Sequence, residues 1–147
     1  MKDKKMKNIF VQGAIAPSFI GNSIEKHSSK KDIGAHSIFL GQVRNDVINN
    51  QEVQSIVYSS YEDMANEKMH VIREEIFAKY HLTCMHVYHS LGNVLVGEIC
   101  LFVFTSSAHR RMAIDACEEL VERIKKELPI WGKEMFSGDD GVWKINS

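Results

Sequence analysis

The chain has 147 residues, 44% hydrophobic and 25% charged, which suits one compact domain with a buried apolar core. Its 18 basic and 19 acidic side chains give a formal net charge of −1. No global field therefore attracts nucleic acid or an anionic membrane, and we expect neither as a partner. Any anion-binding site must be local.

The amino-terminal half predicts a strand, a helix and a pair of strands. Residues 9–14 are expected to form the first strand, and Pro17 suits the first turn of a short helix. The β-branched, aromatic and small residues of 34–43 predict a second strand. Alternation in residues 53–61 predicts its hairpin partner, across a polar loop at 45–52.

The carboxy-terminal half predicts two amphipathic helices. Apolar residues recur at helical spacing between positions 61 and 80, and the resulting helix should lie on a sheet. A second apolar stripe runs from position 107 to 128, and Pro129 ends it.

Strands are expected between and after these helices. Residues 84–91 and 98–105 have strand character, with Gly92-Asn93 and Gly97 as turn signals between them. A last short strand is expected at 142–145. The order of elements predicts α+β architecture with three helices and a mixed or antiparallel sheet. We expect a single domain over residues 1–147, with residues 1–7 disordered.

The location of the protein can also be predicted. The start MKDKKMKNIF is basic but leads into no sustained apolar stretch, so we expect no signal peptide. The longest strongly apolar run, residues 99–104, is too short to span a bilayer. A cytoplasmic protein is therefore expected.

Positive charge lies at the start of the last helix, where it is unfavourable. Ser106 or Ser107 is expected to cap this helix, and His109, Arg110 and Arg111 fall in its first turn. The free N–H groups of a helix N-terminus prefer negative charge. Two interpretations stay open: a bound anion offsets the charge, or nearby carboxylates pair with it at modest cost.

Arg44 is a similar case at the end of a strand. It follows FLGQV, where Gly41 allows a backbone or a ligand to come close. A solvated arginine is the simpler interpretation, and Arg44 gains weight only in combination with other cations.

One lysine near the end of the last helix lacks an obvious partner. Glu119 precedes Arg123 by four residues, the orientation that favours a helical ion pair. Glu122 precedes Lys126 in the same way. Lys125 has no dedicated partner and flanks the apolar stripe, a position open to a functional amine or to a lysine that covers apolar surface.

The segment HLTCMHVYH contains four potential zinc ligands, His81, Cys84, His86 and His89. On a strand, His86 and His89 point to opposite faces, so this spacing does not form a chelate. We therefore predict no metal site. The three cysteines of the chain are too widely spaced for a disulfide framework and are expected to be buried thiols.

Several segments in order along the chain resemble one family: GAHSIFLGQVR, YEDMA, HSLG, SSAHRRMA, PIWGKE and the closing GVW. They are similar to the large, catalytic subunit of molybdopterin synthase, from about Gly34 to Trp143, and SSAHR with PIWGKE is the most specific part. The resemblance implies an α/β-hammerhead-like fold. It also implies a homodimer within a heterotetramer, in which each large subunit binds a small ubiquitin-like subunit.

The resemblance further implies a sulfurtransferase of molybdenum cofactor biosynthesis. The Gly-Gly tail of the ubiquitin-like subunit, carried as a thiocarboxylate, would enter the active site. Two sulfurs would pass to cyclic pyranopterin monophosphate and form the dithiolene of molybdopterin. No metal or cofactor of its own is expected for this subunit.

Site residues are implied by the same resemblance. Lys125 matches the proposed catalytic lysine of the family. Arg44, His109 and Arg110 would bind the pterin phosphate or the tail carboxylate. The other implied substrate-binding positions are Phe39, Gln42, Val43, Gly132 and Glu134.

The chain departs from the family pattern at three positions. Gly132 stands where a lysine usually follows the tryptophan, so Lys133 is expected to take over that role and assist Lys125. Ser59 and Ser90 stand where an acid and an arginine are usual, and we expect those two to form one ion pair, lost together at little net cost. An alternative function is a non-catalytic relative that binds the ubiquitin-like tail or a phosphorylated pterin. A third is an unrelated phosphate-binding domain.

Overall fold

The computed structural model describes residues 6–137 and the backbone of residues 142–144. The strands are β1 (Phe10–Gln12), β2 (Ala35–Gln42), β3 (Val47–Ile48), β4 (Gln51–Ser60), β5 (Cys84–Leu95), β6 (Ile99–Ser107), β7 (Ile130–Phe136) and β8 (Val142–Lys144). The helices are α1 (Pro17–Lys26), α2 (Glu62–Lys79) and α3 (Arg110–Glu127), with a 3₁₀ turn at His27–Ser29 after α1. The expected disorder of residues 1–7 falls largely on 1–5, which lie outside the described residues.

The strands form one sheet in the order β2-β6-β5-β4-β7-β8, with antiparallel pairing between all neighbours on this path. β1 pairs with β5 in parallel, and β3 pairs with β4. This arrangement confirms the predicted α+β fold with three helices and a mixed, mainly antiparallel sheet.

Helices cover both faces of this sheet. Alternate side chains of a strand point to opposite faces, so β5 contributes to two cores. Met85 and Val87 join the large core formed with α2 and α3. On the other face, Ile20 of α1 packs with Phe102 and Phe104 of β6. The terms "α3 face" and "α1 face" denote these two sides.

The two predicted amphipathic helices are confirmed. α2 buries Ala65, Met69, Ile72 and Ile76. α3 buries Ala113, Ala116, Cys117, Leu120, Val121 and Ile124. Burying a large aliphatic side chain contributes about 1.5–3 kcal/mol, so these stripes hold both helices on the sheet. The cysteines at 84, 100 and 117 are free and buried, as predicted.

The predicted hairpin between residues 34–43 and 53–61 is wrong. β2 pairs instead with β6, and β4 pairs with β5 and β7. The expected loop at 45–52 is itself a tight hairpin between β3 and β4. Asn49 and Asn50 form its turn with φ angles of 52° and 65°, which asparagine tolerates better than most residues. Alternation indicates a half-buried strand but does not identify its neighbour.

The predicted turn at Gly92-Asn93 is also wrong, because β5 continues to Leu95 and the turn follows at residues 96–97. Gly92 has a φ of +82°. β5 pairs with β6 up to His89 and with β4 from Gly92 onward. The glycine thus lies where the strand changes partner.

β7 was not predicted from the sequence. Its burial alternates, with Ile130, Gly132, Glu134 and Phe136 on the buried side. Glycine and glutamate are both disfavoured in strands, so the pattern IWGKEMF is weak. Among the described residues, no helix combines the length and the apolar character needed to cross a bilayer.

Candidate active site

Lys125 lies in the last turn of α3 and is half-buried. Its amine forms no ion pair with any carboxylate in residues 6–137. It is close enough to His89 for its charge to lower the pKa of that histidine. The charge of Lys125 therefore reaches a buried imidazole.

His89, on which this charge acts, is deeply buried, with 3% of its surface exposed. Burial lowers its pKa to about 4, and the charge of Lys125 also acts in this direction. Its Nδ1–H donates a hydrogen bond of 2.8 Å to the carbonyl oxygen of Ser90. His89 is therefore neutral at pH 7, and its Nε2 lone pair can accept a proton or a hydrogen bond.

Tyr58 of β4 packs against this histidine. The two rings meet edge to face, with centroids 5.1 Å apart. Burial raises the pKa of Tyr58, and Cys100 and Glu134 raise it further. The phenol therefore stays protonated and can donate a hydrogen bond. Tyr58 lies between Gly92 and Gly132 of the neighbouring strands, which leave room for its ring.

Gly132 has no space for a side chain. A Cβ atom there would lie 2.8 Å from Cγ2 of Ile56 and 3.2 Å from Cε1 of Tyr58. The position at which the family usually has a lysine is thus filled by the side chains of β4.

Lys133 points to the other face of β7. It pairs with Val57 and is half-buried, whereas Gly132 and Glu134 on either side of it are buried. Because side chains alternate along a strand, the face that holds Gly132 and Tyr58 is not the face of Lys133. The structure brings Lys125, His89 and Tyr58 together, and it does not bring Lys133 to them within one protomer.

The end of β2 lies at the same end of the sheet as His89. Gly41 pairs with Leu101 of β6, and Leu101 pairs in turn with His89. Phe39 packs against the core on the α3 face. The other predicted positions here are Gln42, which is exposed, and Val43, which is 2% exposed.

Arg44 extends into solvent just beyond this strand. Its side chain is 72% exposed and pairs with Asp46 at 3.4 Å. An exposed pair of this kind contributes at most about 1 kcal/mol, so the guanidinium can exchange its partner for an anionic ligand.

The start of α3 lies far from Lys125. Lys125 follows His109 by 16 residues along one helix. At a rise of about 1.5 Å per residue, the two are separated by about 24 Å. Within one protomer, His109 and Arg110 therefore do not share a pocket with Lys125.

The expected cap at Ser106 or Ser107 is wrong, because both residues lie in β6 and are buried. Ser106 Oγ lies 2.7 Å from Nδ1 of His36, and Ser107 Oγ donates to the carbonyl oxygen of His81. His109 is the N-cap instead, and it makes no capping hydrogen bond.

The first turn of α3 is basic, as predicted, and contains no acidic residue. Arg111 pairs with Asp115 at 3.5 Å, so the carboxylate interpretation applies to it. No ion pair forms for His109 or Arg110 within the described chain. The guanidinium of Arg110, the imidazole of His109 and the uncapped N–H groups are compatible with an anion.

The remaining side-chain expectations have mixed outcomes. Arg123 approaches Glu119 only at 4.0 Å and pairs more closely with Glu75 and Glu127, at 2.6 and 2.8 Å. Ser90 is fully buried, and its Oγ has no hydrogen-bond partner in the described structure. The family ion pair suggested for the positions of Ser59 and Ser90 stays a prediction.

His86 and His89 point to opposite faces, as predicted. His86 contacts His27 on the α1 face, whereas His89 contacts Tyr58 near Lys125. The sequence analysis considered His89 only as a metal ligand and missed Tyr58. The sequence shows the alternation of side chains within β4 and β5, but it does not show that β4 pairs with β5 and β7.

Comparison with known proteins identifies the family. The family model described as MoaE protein matches residues 16–127. A molybdopterin synthase catalytic subunit from Pyrococcus abyssi is 34% identical over 117 residues, covering 80% of this chain and 77% of the relative. The protein of the same name from Drosophila willistoni is 39% identical over 115 residues, which are 77% of this chain but only 31% of the fly protein.

Solved structures show the same fold. Molybdopterin synthase from Staphylococcus aureus superposes with a TM-score of 0.81 at 28% identity, covering 95% of this chain and 98% of that one. A complex of subunits 1 and 2 of molybdopterin-converting factor from Helicobacter pylori gives a TM-score of 0.78 at 22% identity, with coverages of 91% and 87%. Because the family model matches most of its length, the chain belongs to the MoaE protein family, as its sequence motifs predicted.

Proposed function

We propose that this chain is the catalytic subunit of a molybdopterin synthase, a cytoplasmic sulfurtransferase of molybdenum cofactor biosynthesis. Family membership and the names of its relatives support this proposal. The observation that carries it is the position of Lys125, half-buried beside a neutral histidine and a protonated tyrosine. Perturbed groups around an available amine are typical of catalytic sites.

The proposed substrates are a thiocarboxylated tail and a phosphorylated pterin. A small ubiquitin-like subunit delivers its C-terminal Gly-Gly thiocarboxylate to the site. The sulfur attacks an oxygen-bearing carbon of the side chain of cyclic pyranopterin monophosphate, so that a carbon–sulfur bond forms as a carbon–oxygen bond breaks, and the departing oxygen takes up a proton. Water then hydrolyses the acyl link and releases the tail as a carboxylate, and a second tail supplies the second sulfur.

Lys125 stabilises the developing oxyanion or moves protons in these steps. Its lack of a carboxylate partner in residues 6–137 leaves the charge available to substrate. His89 accepts from the amine or the substrate through Nε2, and Tyr58 donates from the phenol. Only the tail brings sulfur, so none of the buried cysteines is needed as a nucleophile.

The phosphate is bound by Arg44, His109 and Arg110. Because α3 separates His109 from Lys125 by about 24 Å, these residues act together only if a second protomer supplies some of them. We therefore propose a homodimer, within a heterotetramer, in which His109 and Arg110 of one subunit complete the site of the other. In this proposal Arg44 and Lys125 of one site come from the same subunit.

Lys133 is the weaker candidate for catalysis. Because side chains alternate along β7, the side chain of Lys133 is expected on the face opposite Gly132 and Tyr58. We keep an assisting role for Lys133 as a separate proposal, to be tested by its own variant. Phe39, Gln42, Val43, Gly132 and Glu134 are proposed to line the channel for the tail or the pterin.

The test is a reconstituted assay with thiocarboxylated partner and cyclic pyranopterin monophosphate. Lys125→Ala should lower product formation by about 10²–10⁴-fold, the range for an acid–base group. Lys126→Ala is the matched control, because Lys126 is an exposed neighbour on the same helix turn, and should be active. Lys133→Ala should lose less activity than Lys125→Ala. Near-normal turnover by Lys125→Ala would refute the assignment.

The second candidate function is a binding subunit that has lost turnover. The observation that favours it is Gly132, since the space for the usual lysine is filled by Ile56 and Tyr58. Such a protein would bind the ubiquitin-like tail or the pterin with normal affinity and form no product. Measuring partner affinity and product separately distinguishes the two functions.

A further inference from the structure

Three potential metal ligands meet on the α1 face, on the opposite side of the sheet from Lys125. Cys84 and His86 are two residues apart on β5, so their side chains point to the same face. His27 comes from the 3₁₀ turn after α1 and lies over this face. One ligand atom from each of these residues lies within 4.8 Å of the other two.

The separations are close to those of a zinc site. With zinc–nitrogen bonds of about 2.05 Å and tetrahedral angles, two imidazole nitrogens lie about 3.3 Å apart. Nε2 of His27 and Nε2 of His86 are 3.1 Å apart. Nitrogen and sulfur ligands lie about 3.5 Å apart in such a site, so separations within 4.8 Å need to close by at most about 1.3 Å.

Neighbouring groups already orient two of the three ligands. Nδ1–H of His27 donates a hydrogen bond of 2.7 Å to the carbonyl oxygen of Ser23. This bond leaves Nε2 as the nitrogen with the free lone pair, the arrangement usual for metal-bound histidine. Nζ of Lys30 donates to Sγ of Cys84 at 2.9 Å, and such a bond is compatible with a coordinated thiolate.

The site is largely shielded from water. His27 is 8% exposed and Cys84 is 6% exposed. The His27 ring also contacts Phe104 of β6, at 4.9 Å between centroids. Without a metal ion, His27 and His86 share one hydrogen bond between their Nε2 atoms. A metal ion would bind the Nε2 lone pairs of both histidines and the thiolate of Cys84.

We propose that His27, Cys84 and His86 bind one Zn²⁺ ion, with a fourth position left for water. Two imidazoles and one thiolate form a donor set that suits zinc, and binding would release the thiol proton to solvent. The ion would tie the end of α1 to β5. This site is independent of the proposed sulfur transfer, because its ligands lie on the face opposite Lys125.

The charges around the site indicate which ligand matters most. The charges of Lys7, Lys30 and Arg73 act on His86, and the same charges oppose a metal cation. The negative thiolate of Cys84 has to offset them, so binding should depend most strongly on this residue.

The test uses the full chain, stripped with a chelator and titrated with Co²⁺ as an optical probe and then with Zn²⁺. We expect one Co²⁺ per chain, a sulfur-to-cobalt charge-transfer band, and displacement by Zn²⁺. Cys84→Ser and His86→Gln should each weaken binding by at least about 100-fold, beyond the 10–100-fold typical of outer-shell changes. Circular dichroism of each variant verifies folding.

Matched controls separate this site from adventitious binding. Cys100→Ser removes another buried thiol, His81→Gln removes an exposed histidine, and Lys125→Ala alters the other face. All three should keep the affinity of the unmodified chain. X-ray absorption spectra at the zinc edge should show one sulfur and two imidazole ligands. Binding that survives in Cys84→Ser, or the absence of stoichiometric binding by the unmodified chain, would overturn the proposal.

Discussion

The neutral, buried state of His89 predicts a specific loss of stability in acid. Its pKa is about 4 in the folded chain, against an ordinary value of about 6.5. Above pH 6.5 the imidazole is neutral in both states, so His89 imposes no cost. As the pH falls from 6.5 to 4, the unfolded chain binds a proton that the folded chain does not, and stability falls.

The size of this loss follows from the two pKa values. A difference of about 2.5 units corresponds to about 3.4 kcal/mol when the pH is below both values. At pH 5 the loss is about 2 kcal/mol, which is a large fraction of the stability of a domain. His86 also has a pKa of about 4 and adds a similar term, so His89 has to be isolated by substitution.

Urea unfolding at pH 7.5 and pH 5.0 measures this effect. The unmodified chain should lose about 2 kcal/mol more between the two pH values than His89→Gln does. His81→Gln is the control, because His81 is exposed, and should behave like the unmodified chain. Equal losses in the unmodified chain and in His89→Gln would refute the reasoning. In Lys125→Met, NMR titration should give His89 a higher pKa, because a nearby positive charge has been removed.

Three further predictions concern single positions. Gly132→Ala should lower the free energy of unfolding by about 1–3 kcal/mol, because its Cβ would crowd two β4 side chains. Gly21→Ala is the control and should not lower it, because no atom lies within 4 Å of the added Cβ. Urea unfolding measures both. Gly34→Ala should be at least as destabilising in the same assay, because its Cβ would meet the backbone carbonyl of Ala108, which cannot move without shifting the start of α3; a neutral effect would contradict this packing. Arg44→Ala should change stability by less than about 1 kcal/mol but raise the KM for the pterin substrate, and an unchanged KM would remove Arg44 from the proposed phosphate site.

Local sequence patterns predicted the helices well. The apolar stripes of α2 and α3 repeat with helical period and predicted both helices to within about three residues at each end, because each helix buries one face against one sheet. Strand positions were also largely correct. Strand partners were not, because pairing depends on distant segments: β2 pairs with β6, more than 50 residues further along the chain.

The candidate site was predictable only in part. Helical spacing, which the sequence gives directly, predicts that Lys125 has no dedicated acidic partner on its own helix. Tyr58 and His89 reach it only through the pairing of β4, β5 and β7, and β7 itself was missed. His27 escaped notice for the same reason, since it is 57 residues before Cys84 in the chain and meets it only after folding.

The most direct test of the proposed active site is complementation between two inactive variants. Lys125→Ala and Arg110→Ala chains should each be nearly inactive as homodimers in the reconstituted assay. In a random one-to-one mixed assembly, half of the dimers are mixed, and each holds one intact site made of Arg110 from one chain and Lys125 from the other. Product formation should then recover to about a quarter of that of the unmodified protein. No recovery in mixed dimers that have been shown to form would contradict a site shared between two protomers.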